Sequence, residues 1–126
     1  MDLTPLVPQG RQIIESYGDG RFRVTGTLHQ GSVLVFPEKT VAWEVGESAA
    51  LTEESLGAIA AAGDAGTIEL LLIGCGPRMV MIPAKLRAAL RSHGVVVEPM
   101  DTGAAARTYN VLAAEGRKVA AALIAV

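Results

Sequence analysis

Hydrophobic and polar positions change their period twice along the chain. From Gln12 to Val45 the apolar residues alternate with polar ones, or form short runs broken by glycine and proline, which is the spacing of strands. Phe22 and Val24 alternate with Arg21, Arg23 and Thr25, and Gly18-Asp19-Gly20 offers a turn whose glycines tolerate positive φ. These features predict a hairpin of Gln12–Gly18 and Arg21–Thr27 with one wet face, followed by a turn that carries His29. Ser32-Val33-Leu34-Val35-Phe36 reads as a more buried strand, which Pro37-Glu38-Lys39 turns into a strand over Thr40–Val45.

At Thr52 the period becomes helical. Leu51 and Leu56 stand where a hydrophobic staple needs them, Thr52 can cap, Glu53 and Glu54 suit the positive end of a helix, and Gly63 can close it. Gly57 inside this helix costs about 1 kcal/mol relative to alanine and marks a close packing contact. Ile68–Ile73 is nearly continuous apolar sequence, as in a central strand covered on both faces. Pro83 at a first helical position, Leu86, Ala89, Leu90 and His93 on one face, and Gly94 as terminator predict a second helix. Val95–Glu98 follows as a second buried strand, parallel to the first. A third helix runs from about Ala104 to Glu115, and residues 118–126, apolar on every face but only about two helical turns long, read as a last strand in preference to a helix. The architecture is a compact three-layer α/β single domain, with a β-rich N-terminal half followed by β-α-β-α-β over residues 12–126. Pro5, Pro8 and Gly10 make residues 1–11 an extended arm.

Composition narrows the function classes. Half of the 126 residues are apolar and 19% are charged, enough for a core and too little for a solvated tail. Eleven basic against thirteen acidic side chains lack the excess that nucleic-acid binding needs. One cysteine and two isolated histidines, His29 and His93, supply no disulfide and no metal-ligand cluster, so no metal or cofactor is expected. No apolar run reaches the roughly 18 residues that span a bilayer, and a cytoplasmic location without direct membrane insertion is expected.

The chemistry-bearing residues gather in two loops. If residues 68–73 and 95–98 are neighbouring parallel strands, Gly74-Cys75-Gly76-Pro77-Arg78 and Met100-Asp101-Thr102-Gly103 emerge together at their carboxyl edge, where open α/β sheets place ligand crevices. The second loop opens a helix, and Arg107 and Asn110 share a face of it, with Tyr109 beside them. This makes a cradle for a carboxylate, a phosphate or a partner's acidic side chain, with Arg78 and Arg107 as forked donors. The alternative is structural: Asp101 or Thr102 caps the helix, Arg107 pairs internally and Tyr109 belongs to the core. A dinucleotide site is disfavoured, because Met79 stands where a third glycine belongs and Pro83 starts the helix too late. Cys75 lacks an evident base and reads as a small residue in a tight loop.

Gly31-Ser32-Val33-Leu34-Val35, Trp43, Gly74-Cys75-Gly76, Pro83-x-x-Leu86-Arg87 and above all Met100-Asp101-Thr102-Gly103-Ala104-Ala105-Ala106-Arg107-Thr108-Tyr109-Asn110-Val111-Leu112 resemble one family. It is the small-domain family that includes mitochondrial complex I assembly factor three and the adipogenesis-associated domain protein of animals. The similarity runs from about residue 12 to the C-terminus. It implies a mixed central sheet with an antiparallel last strand. It also implies a non-enzymatic accessory protein whose partners are subunits of the respiratory NADH dehydrogenase or of the preprotein translocase, in membrane-protein biogenesis. The alternative function is a protein or enzyme that binds a small anion in the crevice. The oligomeric state is left open.

Overall fold

The computed structural model describes residues 10–126. All but the last two residues of the expected arm lie outside the described residues. Arg11 donates from its guanidinium to the carbonyls of Arg117 (2.7 Å) and Gly116 (3.3 Å), fastening the start of the domain to a distant turn.

Strands β1 (Ile14–Gly18), β2 (Arg21–Val24) and β3 (Thr27–Gln30) form an antiparallel meander. The first turn, Asp19-Gly20, is the one the glycines advertise, with φ of 54° and 73°. The second, Thr25-Gly26, has φ of 44° and 81°, so His29 sits in a strand and not in the expected turn. Threonine is β-branched and poorly suited to positive φ, so the sequence does not signal this hairpin. Local bonds hold it: Thr25 Oγ1 accepts from Ile13 N at 2.9 Å, and Glu15 Oε1 accepts from Gly26 N at 2.7 Å.

The second sheet joins β4 (Val33–Val35), β5 (Thr40–Ala42), β6 (Leu70–Gly74), β7 (Val96–Met100) and β8 (Val119–Leu123) in the order β5-β4-β8-β6-β7. The last strand is antiparallel to β4, as the resemblance implies, and parallel to β6 along its other edge. That arrangement follows from connectivity. Helix α2 (Ala84–Arg91) carries the chain from β6 outward to β7, and α3 (Thr102–Ala114) carries it back across β6 to β8. The two helices therefore lie on opposite faces.

Alternation along the strands divides the core accordingly. Leu71, Ile73 and Val97 face α2 and the shorter α1 (Gly57–Asp64), together with Trp43, Leu86 and Leu90. Leu72, Ala121 and Leu123 face α3, where Ala105, Ala106 and Tyr109 meet Phe22 and Val24 from the meander. The result is three layers: α1 and α2, the mixed sheet, then α3 with the meander. Leu71, Leu72 and Ile73 have at most 1% of their surface exposed, and each contributes roughly 1.5–3 kcal/mol by burial.

Four local expectations are corrected. Strand β7 is the edge of its sheet, so Val96 is 42% exposed while Val95 and Val97 are buried. The close-packing glycine of α1 is Gly63, whose Cβ would collide with the His93 carbonyl and the Val95 side chain; a Cβ on Gly57 meets nothing. The strand expected to reach Val45 ends at Ala42, since Trp43 turns into the core and its indole donates to the Ser55 carbonyl at 2.7 Å. Thr52 does not cap α1, which begins at Gly57 without a side-chain cap; it bonds Ser55 reciprocally in the turn before the helix, through Ser55 N to Thr52 Oγ1 and Thr52 N to Ser55 Oγ, both at 3.0 Å. Among the described residues no helix is long and apolar enough to cross a membrane.

Candidate functional site

Strands β6 and β7 are parallel neighbours, with Gly74 in register with Met100, so the two loops meet at the carboxyl edge. Their polar groups are spent largely on each other. Cys75 N donates to Met100 O (2.8 Å), Thr102 N to Gly76 O (2.8 Å) and Ile124 N to Gly74 O (3.0 Å). The Thr102 hydroxyl, fully buried, accepts from Gly76 N at 2.9 Å and donates to Ile124 O at 2.7 Å. One side chain thus ties the β6 loop, the start of α3 and the end of β8.

Gly74 is small because α3 lies against it: a Cβ there would stand 2.9 Å from Thr102 Cα and 3.0 Å from a Leu123 methyl. Gly76 holds a φ of 99°, which a side chain disfavours. Asp101 caps α3 by accepting from Ala104 N at 2.8 Å. Cys75 is 5% exposed, and its side chain packs in the core on the α2 side of the sheet. Among the described residues no group of three or more His, Cys, Asp or Glu side chains could hold a metal.

The remaining singled-out residues separate into different environments. Gly103 seats the Tyr17 ring: an added Cβ would lie 2.6 Å from the Tyr17 hydroxyl, to which Arg107 donates at 3.0 Å. Asn110 and Tyr109 point inward. The Asn110 amide accepts from Ile14 N (3.0 Å) and donates to Ile14 O (2.8 Å), closing the edge of β1 as a neighbouring strand would. Tyr109 is fully buried, donates to the carbonyls of Gln12 (3.1 Å) and Phe36 (3.4 Å), and has its hydroxyl pKa pushed up by burial, with Arg11 offsetting this slightly. Arg78 is exposed on the loop that leaves β6. The structure therefore joins Gly74, Cys75, Gly76 and Thr102 in one bonded knot, with Asp101 capping the helix that Thr102 begins. It pairs Gly103 and Arg107 around Tyr17, and sets Tyr109 and Asn110 in the core against β1. None of these residues lines the groove of about 630 Å³ between the β4–β5 turn and α1.

What lies exposed beside the knot is apolar. Met79, Val80 and Met81 are 55%, 41% and 77% exposed, on a loop held at one end by the β6 turn and at the other by the buried Ile82. The signal was present in the sequence as an apolar run that fits neither the preceding strand nor the following helix.

A family model described as "Protein of unknown function (DUF498/DUF598)" matches residues 14–124. An uncharacterised protein of Rhodobacter capsulatus is 40% identical over 111 residues, which is 88% of this chain and 82% of that one. The human NADH dehydrogenase [ubiquinone] 1 alpha subcomplex assembly factor 3 is 33% identical over 88% of this chain, which spans 59% of the human protein's length. Among solved structures, one described as an outer membrane protein from Bartonella henselae is 38% identical with a TM-score of 0.85, over 93% of this chain and 97% of that one. A Mth938-like domain from Bordetella pertussis is 30% identical with a TM-score of 0.83, over 98% of this chain and 92% of that one.

Proposed function

The chain belongs to the DUF498/DUF598 family, and from that membership we propose that it is an accessory protein in the assembly of a respiratory NADH dehydrogenase, acting by holding a protein partner. The observation that carries this reading is the 33% identity to the human assembly factor over 88% of the chain. The exposed loop supports a binding mode. Methionine side chains are unbranched and polarisable, so they adapt to irregular partner surfaces, and Met79 and Met81 stand in water on the loop between β6 and α2. The polar knot beneath supplies rigidity, since its hydrogen bonds are satisfied within the chain. On this reading Arg78 borders the contact as a charged rim.

The test is gentle crosslinking of the tagged full-length chain in its host, with mass spectrometry of what co-purifies. The comparison is the double variant Met79→Ser, Met81→Ser, with an unchanged circular dichroism spectrum as proof of folding. NADH dehydrogenase subunits, or proteins bound to their precursors, are enriched with the wild type and lost with the variant. Recovery of intact respiratory complexes elsewhere in the same lysate, with none attached to the wild-type chain, would sink the assembly role. Enrichment of translocase subunits instead would move the role to membrane insertion. Retention of the same subunits by the double variant would place the contact elsewhere.

A further inference from the structure

The meander has one face in the core and one in water. Phe22 and Val24 point inward, while Arg21 and Arg23 are exposed on the outer face with Ser16, Leu28 and Gln30 in register beside them. That face is concave, enclosing about 470 Å³ lined by Tyr17, Asp19, Arg21, Arg23 and Leu28 among others. Neither arginine side chain has a hydrogen bond or ion pair to any described residue.

The sheet also has an open edge. Val24 and Thr27 close a two-residue turn and so form a hydrogen-bonded pair; bonding then alternates, and the backbone groups of Leu28 and Gln30 point away from β2. No described residue bonds to them. On β1 and β7 the edges are blocked at particular residues. Asn110 occupies Ile14 on β1, and on β7 Pro99 has no N–H while Arg87 donates to the Val97 carbonyl at 2.7 Å.

We propose that an extended acidic segment of a partner protein adds to β3 as a fourth strand and sets its carboxylates toward Arg23 and Arg21. Residues paired with Leu28 and Gln30 would share their face and lie two strand spacings, roughly 10 Å, from the arginine backbones. An extended arginine and a glutamate reaching toward it together span that distance over the intervening side chain. Asp19 lies at the Arg21 end, so the carboxylate opposite Leu28, nearest Arg23, carries most of the preference. Charge argues against a second copy of this chain as the occupant, because pairing two β3 strands across a two-fold axis would bring both pairs of arginines onto one face with no acid from β3 between them. The surface lies on other elements than the Met79–Met81 loop, and the inference is independent of the assembly reading.

The experiment is amide-resolved NMR of the full chain titrated with a short peptide alternating glutamate and valine, against the same peptide with lysine for glutamate. The glutamate peptide shifts the Leu28 and Gln30 amides and slows their exchange with solvent, and the lysine peptide does not. Arg23→Gln weakens binding about threefold, as for one exposed ion pair, Arg23→Glu weakens it about tenfold because repulsion of similar size is added, and both variants keep the wild-type pattern of core amide shifts. Equal binding of the two peptides, shifts that spare β3, or unchanged affinity in Arg23→Glu would each overturn the proposal. Concentration-dependent shifts of β3 without peptide would overturn it in favour of self-association.

Discussion

Replacing Thr102 by valine keeps its volume and its methyl group and removes only the hydroxyl. That hydroxyl accepts from Gly76 N and donates to Ile124 O, both in a buried setting. Two neutral hydrogen bonds contribute about 1 kcal/mol each, and a buried donor or acceptor left alone costs a further ~1–3 kcal/mol. The expected loss is about 3 kcal/mol, a large share of the roughly 5–15 kcal/mol that stabilises a domain. Urea unfolding followed by circular dichroism reads it as a fall in midpoint of about 1.5 M at an unchanged slope of roughly 2 kcal/mol/M. Thr102→Ser is the control, since it keeps the hydroxyl and loses a buried methyl worth about 1 kcal/mol. The expected order is wild type, serine, valine. A valine variant within about 1 kcal/mol of wild type, or one more stable than the serine variant, would refute the view that the hydroxyl ties the knot.

Two further outcomes follow from buried polar groups. Asn110→Leu leaves both backbone groups of Ile14 without their partner and lowers stability by about 3 kcal/mol. Faster amide exchange at Ile14 than at Leu72 marks the loss as local to the β1 edge. The second is a pH dependence. Burial raises the pKa of Tyr109 in the folded state, so above about pH 10 the unfolded chain ionises its phenol while the folded chain does not. The phenol's contribution is intact below pH 10 and falls as pH rises toward the folded value. Unfolding midpoints between roughly pH 8 and pH 11 decline in the wild type and decline less in Tyr109→Phe.

The parallel pair of apolar strands, the three helices and the meeting of the two loops were legible because each rests on local pattern, whereas the mixed sheet with its antiparallel last strand came from the family resemblance. Leu70–Gly74 reads as apolar sequence between glycines, and α3 carries its own cap in Asp101. Strand β3 was not legible, because its turn depends on Thr25 accepting a conformation that its own chemistry resists and that Ile13 and Glu15 stabilise from a distance. The edge position of β7 was hidden for a different reason: Val95-Val96-Val97 is uniformly apolar, and only the path of α3 back over β6 decides that Val96 meets water. The loops were located correctly while the destinations of their polar groups were not, since the residue that bonds Thr102 is Ile124, on a strand whose place in the sheet no spacing reveals.

The stretch that carries the resemblance, Met100 to Leu112, supplies the bonds that assemble the fold. Asp101 caps its helix, Thr102 joins three segments, Gly103 receives the Tyr17 ring, Ala105 and Ala106 pack against the mixed sheet, Tyr109 holds the carbonyls of Gln12 and Phe36, and Asn110 closes the edge of β1. A motif with those duties identifies a fold wherever it occurs, and it does so whether or not the fold's surface has changed its task. Function in this chain is then to be sought on residues outside the motif that water still reaches at rigid positions. Met79 and Met81 follow a central strand, and Arg21 and Arg23 stand on a sheet face backed by Phe22 and Val24. A rigid base lowers the ordering cost of binding, so substitutions at these four residues should change what the protein holds while leaving how it unfolds almost untouched, the reverse of what Thr102 and Asn110 should do.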